Sequence, residues 1–286
     1  MLTARALTEL RRAVGHARAA GEPIAFVPTM GALHEGHLSL VRLAKRHAPF
    51  IVVSIFVNPL QFGPNEDFGR YPRREAEDIS LLTKEGVDVL YLPDPSSFYS
   101  ADFSTRVDVG PVAEGGEGAQ RPGHLTGVAT VVSRLFLHVL PDVAVFGRKD
   151  LQQVAVVRRL IRDLGFPIQL VVGETVRDPD GLALSSRNAY LSPDERRRAL
   201  DLSRSLFAAR ARAAHGVRDA RLLEVDVLRQ LEAAGLAADY VEAVDAETMA
   251  RASEVRPGVA LAAAVRLGKT RLIDNVFLLD PGPPGA

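Results

Sequence analysis

The sequence predicts a doubly wound α/β domain followed by a smaller α+β domain, and three observations carry that prediction. Over the first 175 residues, short apolar β-branched runs alternate with helical patterns. The run IVVSIFV, Ile51 to Val57, is apolar almost throughout, as a strand buried on both faces must be, and such strands belong to parallel sheets covered by helices. Beyond residue 177 the pattern changes to arginine-rich helices followed by strands, which marks a second unit. The reading divides the chain into residues 1–176 and 177–286.

Taken in order, the strands of the first unit are Ile24 to Val27, Phe50 to Val57, Val87 to Leu92, Val143 to Phe146 and Ile168 to Val172. Helices lie around 2–20, 37–48, 73–85, 124–139 and 150–164. In the second unit Ser192-Pro193-Asp194-Glu195 supplies an N-cap, a proline at the first helical position and a capping-box acid, opening a helix to about Ala214. A helix over 219–234 follows, then strands Tyr240 to Val244, Val259 to Leu267 and Arg271 to Leu279. The turn Gly268-Lys269-Thr270 suits a hairpin between the last two. Gly110 to Gly123 has five glycines and too little apolar content for an element, so it reads as a long loop. Asn58 to Arg73 is turn-rich but carries Phe62, Phe68 and Tyr71, which suggests a loop that closes over something. The ending PGPPGA reads as a frayed tail.

Composition narrows the chemistry. Basic and acidic residues balance at 35 each, so no summed field draws the chain to nucleic acid or an anionic membrane, and any anion must be captured locally. With no cysteine, thiolate zinc, iron–sulfur clusters and a cysteine nucleophile are excluded. The apolar stretch Leu135 to Phe146 contains His138, Pro141 and Asp142 and is too short to span a bilayer. The first helix has arginines throughout and makes a poor secretory signal, so a cytoplasmic protein is expected.

Three segments could carry chemistry. In FVPTMGALHEGHLSLV a strand and a turn lead to His34-Glu35-Gly36-His37 at a helix start, where free backbone N–H groups and the positive dipole end favour phosphate oxygens. Gly36 lets a nucleotide approach the backbone. A zinc helix needs its histidines four apart, and these are three apart. In PDVAVFGRKDLQQ the strand ends at Phe146, Gly147 turns the chain, and Lys149-Asp150 open the next helix, where open α/β sheets bind ligands. Lys149 is one of only four lysines, and Gln152 or Gln153 could face the same crevice. In VRDPDGLALSSRNAYLS, Asp180-Gly181 makes a tight turn and Ser185-Ser186-Arg187 offers hydroxyls and a guanidinium on irregular backbone, natural partners of a polyphosphate. Bland readings stand beside each: caps and turn residues for the histidines, a solvated lysine, a linker for the serines.

Together these segments resemble the HxGH nucleotidyltransferase group, with its Rossmann-like nucleotide-binding domain. Within that group the chain is similar to the pantothenate synthetase family from end to end, through the segments quoted and through VVSIFVNPLQFGPNEDFGRYPR, RPGHLTGVATVVSRLF and a late LIDN. The resemblance implies ATP-dependent ligation of (R)-pantoate to β-alanine through a pantoyl adenylate, in a homodimer. It implies catalytic roles for His34, His37, Lys149, Ser185, Ser186 and Arg187, with His37 as the proton donor. The nucleotide would be lined by Met30, Gly31, Ala32, Leu33, His34, Glu35, Gly36, His37, Gly147, Arg148, Lys149, Asp150, Val176, Leu184, Ser185, Ser186 and Arg187, with Asp150 near the ribose and Val176 near adenine. Gln61 and Gln153 match the pantoate residues, while Arg121 and Glu117 are candidates for edge contacts. Mg2+ should accompany ATP, and the matching acidic pair is Glu77-Asp78; Glu77 stands where the family has a shorter acid, which argues for contact through water. Arg148, where an acid is usual, and Leu184, where methionine is common, are further departures. Alternatives remain at this point: a nucleotidyltransferase that stops after moving AMP, or a nucleotide sensor without turnover.

Overall fold

A computed structural model describes residues 1–64 and 66–280; the PGPPGA tail lies outside them. In chain order the elements are β1 (Leu2–Ala4), α1 (Leu7–Ala19), β2 (Ile24–Thr29), α2 (Glu35–Ala44), β3 (Phe50–Ile55), α3 (Glu75–Lys84), β4 (Val89–Tyr91), α4 (Pro95–Phe98), α5 (Gly116–Gln120), α6 (His124–Val139), β5 (Val143–Gly147), α7 (Leu151–Asp163), β6 (Gln169–Gly173), α8 (Pro193–Ala214), α9 (Ala220–Ala233), β7 (Ala237–Asp245), β8 (Val259–Leu267) and β9 (Thr270–Phe277). Two compact units result. The first comprises Met1–Val109, Arg121–Arg148 and Val156–Glu174; the second comprises Gly110–Gln120, Lys149–Ala155 and Thr175–Ala286.

The first unit holds a six-stranded sheet in the order β1-β4-β3-β2-β5-β6, parallel at every pairing. From β2 the chain steps outward through β3 to β4, then restarts on the other side of β2 with β5 and β6. The reversal falls between β2 and β5, the position at which doubly wound sheets open a crevice beyond their strand ends. Ile51, Val52 and Val53 of β3 are all buried, which is why this strand reads as a continuous apolar run. Val27, Val53 and Val145 of the sheet pack with Leu38 and Val41 of α2 and Leu82 of α3 on one face.

The expected helix over 2–20 is corrected: Leu2–Ala4 is a strand paired in parallel with Val89–Tyr91, and the helix starts at Leu7. The three residues cover the open edge of β4, with the Leu2 amide donating to Asp88 O at 2.7 Å and the Leu92 amide to Ala4 O at 2.9 Å. Glu9 then fixes the helix start by accepting from the Arg5 and Ala6 amides at 2.9 and 3.1 Å. Other boundaries move by a few residues. Thus α2 begins at Glu35 and ends at Ala44, and β5 runs through Gly147.

In the second unit β7, β8 and β9 form an antiparallel sheet. One face packs on α8 and α9 through residues such as Leu202, Leu206, Leu223, Leu261, Leu272 and Val276, and the other carries a smaller cluster of Leu151, Val244, Ala260, Ala262 and Phe277. The capping box forms as expected, Ser192 Oγ accepting from the Glu195 amide at 3.3 Å and Glu195 Oε2 from the Ser192 amide at 2.8 Å. Leu267 pairs with Thr270 across a two-residue hairpin, and Gly268 takes the positive φ (+58°) that such a turn requires.

The glycine-rich segment is not the structureless loop its composition suggests, because Gly110–Ala113 is a 3-10 turn and Gly116–Gln120 is α5. Polar anchors replace the missing apolar ones. Buried Gln152 donates from Nε2 to Val112 O (3.0 Å) and Gly115 O (2.9 Å) and accepts from the Glu117 amide at 2.8 Å. Ser186–Tyr190 likewise forms a 3-10 turn where irregular backbone was expected.

Candidate active site

In the first unit the chain leaves β2 at Thr29 and turns through Met30–Leu33 into α2, whose N-cap is His34. Gly31 and Ala32 both have positive φ (+82° and +50°). A Cβ on Gly31 would lie 2.9 Å from Ile55 Cγ2 and 3.1 Å from Asp78 Oδ2, so only glycine fits. Asp78 of α3, 2% exposed, accepts from the Ala32 amide at 2.9 Å and the Leu33 amide at 2.8 Å. Burial raises its pKa, and those two amides oppose the rise.

The turn thus held presents two imidazoles. His37 Nδ1 accepts from the His34 amide at 3.3 Å, which leaves Nε2 to carry the proton of the neutral ring. The ring centroids are 4.1 Å apart with planes tilted by 37°. Glu35, beside them in sequence, is turned outward and pairs with Arg42. Both rings therefore stand at the amino end of α2, where the helix dipole presents its positive end.

Gln61 joins this turn, its Nε2 lying 3.1 Å from Met30 Sδ, with Oε1 accepting from Asn58 Nδ2 at 3.1 Å. Asn58 is buried and also donates to Gly127 O at 3.1 Å, while the Tyr99 hydroxyl donates to its Oδ1 at 3.0 Å. Gly127 lets α6 meet this loop: a Cβ there would lie 2.2 Å from Leu60 O and 2.8 Å from Gln61 Cα. Sequence reading missed Asn58 and Gly127. A usable signal was present in Asn58-Pro59, an N-cap followed by proline, which here opens the 3-10 turn Pro59–Gln61.

Arg121 is engaged within the first unit. Its guanidinium forms a two-pronged pair with Glu66, both contacts at 2.6 Å, and lies 2.9 Å from His124 Nε2. Burial pushes the Glu66 carboxyl up, but the Arg121 guanidinium, with the Gly63 backbone and His124 adding to it, brings the net pKa below the ordinary value. Phe62 stacks edgewise on Phe68 and Tyr71 in the same loop. Gly147 ends β5, and Arg148 pairs with Glu174 at 2.5 Å.

The second unit holds the remaining candidates. Lys149 is half-buried, and its carbonyl accepts from Asn275 Nδ2 at 2.9 Å. Asp150 precedes α7 and its carbonyl accepts from the Val154 amide. Of the two glutamines, Gln152 is committed to the 112–117 backbone and Gln153 is half-buried. Val176 O accepts from the Leu184 amide at 3.0 Å, closing a hairpin that leads to Ser185, whose Oγ accepts from the Arg187 amide at 3.2 Å. Glu117 is buried, accepting from Tyr240 Oη at 2.9 Å and Arg271 at 2.6 Å. Burial, with the Glu117 charge adding to it, raises the Tyr240 pKa well above the usual phenol range.

The acidic pair is poorly matched to direct magnesium ligation. Asp78 has both oxygens on backbone amides, and exposed Glu77 pairs with Arg74 at 3.4 Å. Among the described residues no group of three or more His, Asp or Glu side chains is arranged to hold a metal. No helix among them is long and apolar enough to cross a membrane.

Comparison with known proteins gives the family of the chain. The family model for pantoate-beta-alanine ligase fits residues 2–277. The pantothenate synthetase of Rhizorhabdus wittichii is 49% identical over 99% of this chain and all of its own length, and that of Anaeromyxobacter dehalogenans 52% identical over 91% and 92%. The crystal structure of pantothenate synthetase from Thermus thermophilus gives a TM-score of 0.92 at 48% identity, covering 97% of this chain and 99% of that one. The pantoate-beta-alanine ligase from Francisella tularensis, solved in complex with beta-gamma ATP and beta-alanine, gives 0.79 at 31% identity, covering 99% and 100%. Since model, relatives and solved structures all extend over nearly the full length, the chain belongs to the pantoate-beta-alanine ligase family.

Proposed function

We propose that this chain joins (R)-pantoate to β-alanine with ATP, giving pantothenate, AMP and diphosphate through an enzyme-bound pantoyl adenylate. Membership of the family supports the substrate set. The observation that carries the chemistry is the His34–His37 pair at the amino end of α2, on a turn locked by Asp78.

A pantoate carboxylate oxygen attacks the α-phosphorus in line, the bond to the β-phosphate oxygen breaks, and diphosphate leaves with the bond electrons. Negative charge grows on the α-phosphoryl oxygens, and fixed donors stabilise it. The Nε2–H of His37 fits that donor role, because its Nδ1 is already committed to the His34 amide. Ammonium and guanidinium groups of Lys149 and Arg187, with the hydroxyls of Ser185 and Ser186, serve the β and γ phosphates. Asp150 serves the ribose, and the Val176 main chain serves adenine. Gln61 and Gln153 hold pantoate, since an amide donates to a carboxylate while accepting from hydroxyls. In the second step the β-alanine amine attacks the activated carbonyl carbon, AMP departs, and the amine gives up a proton.

Residues 1–176 carry the nucleotide and pantoate determinants in this reading, and 177–286 contribute Ser185, Ser186 and Arg187. Magnesium carried by the ATP phosphates would neutralise part of their charge, and Glu77, paired with Arg74, and Asp78, held on two backbone amides, would meet it only through water. A cytoplasmic homodimer completes the proposal. It is tested by measuring diphosphate release from ATP with pantoate alone and then with β-alanine added. Release limited to one equivalent with pantoate, becoming continuous with the amine, is expected. Turnover without an amine, or none with it, overturns the ligase reading.

A further inference from the structure

The late motif Leu272-Ile273-Asp274-Asn275 has so far no part in the chemistry. It lies on β9, where adjacent residues point to opposite faces of the sheet. Leu272 and Val276 fall on the face packed against α8 and α9, and Phe277 falls with Leu151 on the other. Asp274 therefore addresses the first face and Asn275 the second.

On the first face Asp274 takes a two-pronged contact from Arg177, at 2.6 and 2.8 Å, and Arg177 also donates to Gly181 O at 3.2 Å. The same carboxylate accepts from the Asn275 amide at 2.8 Å, fixing that residue's backbone. On the second face the buried Asn275 side chain donates to Lys149 O at 2.9 Å. Two residues after Lys149, Leu151 is buried in the cluster with Phe277 and Ala262. From β7–β9 the turn bearing Lys149 thus receives a hydrogen bond to its carbonyl and an apolar anchor at Leu151.

A lysine ammonium sits on a flexible four-carbon stem, so its placement depends on where the backbone puts its Cα. Fixing the Lys149 carbonyl fixes the peptide plane that also carries Asp150. We propose that Asn275 is a positioning residue for the adenylation step and acts through Lys149. This rests on the reading of Lys149 given above.

The test measures both half-reactions: ATP–diphosphate exchange with pantoate, and amide formation from supplied pantoyl adenylate and β-alanine. Asn275→Asp keeps the shape and replaces the donor with an acceptor, and Asn275→Ala removes the group altogether. Both should slow adenylation about tenfold or more while amide formation stays within about twofold. In a Lys149→Ala background, Asn275→Ala should add no more than about a twofold further loss, because its route to the chemistry is already gone. Equal losses in both half-reactions, a full multiplicative loss in the double variant, or no loss in either single variant overturns the inference. Lys149→Ala measured alone separates the two readings. Normal adenylation in that variant sinks the role of Lys149 itself, whereas impaired adenylation beside an unimpaired Asn275→Ala sinks only the positioning role.

Discussion

Asp78 accepts the Leu33 amide at 2.8 Å, so a carboxylate on α3 holds the turn that delivers the two histidines on α2. Its second oxygen accepts from Ala32. Asp78→Asn keeps the volume but turns an NH2 group toward one of those amides. Denaturant unfolding should show a loss of about 1–3 kcal/mol, the usual penalty for a buried donor left without an acceptor. The rate of adenylation should fall as well, with the magnesium concentration for half-maximal activity unchanged. A shifted magnesium requirement with intact stability would return Asp78 to a metal role.

His37 is expected to supply charge stabilisation rather than packing. His37→Ala should lower kcat about a hundredfold to a thousandfold, or ~3–4 kcal/mol, as removal of an oxyanion donor does. Steady-state kinetics with saturating pantoate and ATP decide it, and a loss of about tenfold or less would make the ring structural.

Gly127→Ala places a methyl 2.2 Å from the Leu60 carbonyl oxygen. The resulting overpacking should destabilise the protein by about 2–3 kcal/mol. That exceeds the ~1 kcal/mol by which alanine ordinarily favours a helix over glycine. The displaced Leu60–Gln61 segment should also raise KM for pantoate. A variant that melts at the wild-type temperature would contradict the close approach.

Acid sensitivity should trace in part to His138. Burial, reinforced by the Arg134 and Arg11 charges, pushes its pKa down from 6.5 to about 4, and the Tyr91 hydroxyl lies 2.9 Å from its Nδ1. A histidine held neutral in the fold contributes stability that is present above its unfolded value and lost as pH falls through the folded one. Stability should therefore decline between pH 6.5 and about 4, by about 2–3 kcal/mol from this group. His138→Gln should flatten that decline, as urea titrations at several pH values would report. An equal slope in wild type and variant would exclude the residue as the source.

Much of the architecture was legible because it is written in local periodicity. Continuous apolar strands such as Ile51–Val53, the Ser192 capping box and the Gly268 hairpin each follow from neighbours in sequence. The errors have a common cause. Leu2–Ala4 extends a helical pattern yet pairs with β4, because an open sheet edge elsewhere needed covering. Gly110–Gln120 looked structureless because its anchors, Gln152, Tyr240 and Arg271, lie far along the chain.

The same division applies to the site. Order and spacing of residues put forward the His34–His37 turn, the Lys149 turn and the Ser185–Arg187 segment as candidates, since helix starts and tight turns are short-range features, and the family resemblance supplied their expected roles. Only the tertiary structure decided that Asp78 locks the first of these, that Asn275 holds the second, and that Arg121 is committed to Glu66. Those are hydrogen bonds and ion pairs between residues 45 or more positions apart, and no periodicity encodes which distant partner a buried polar group will find.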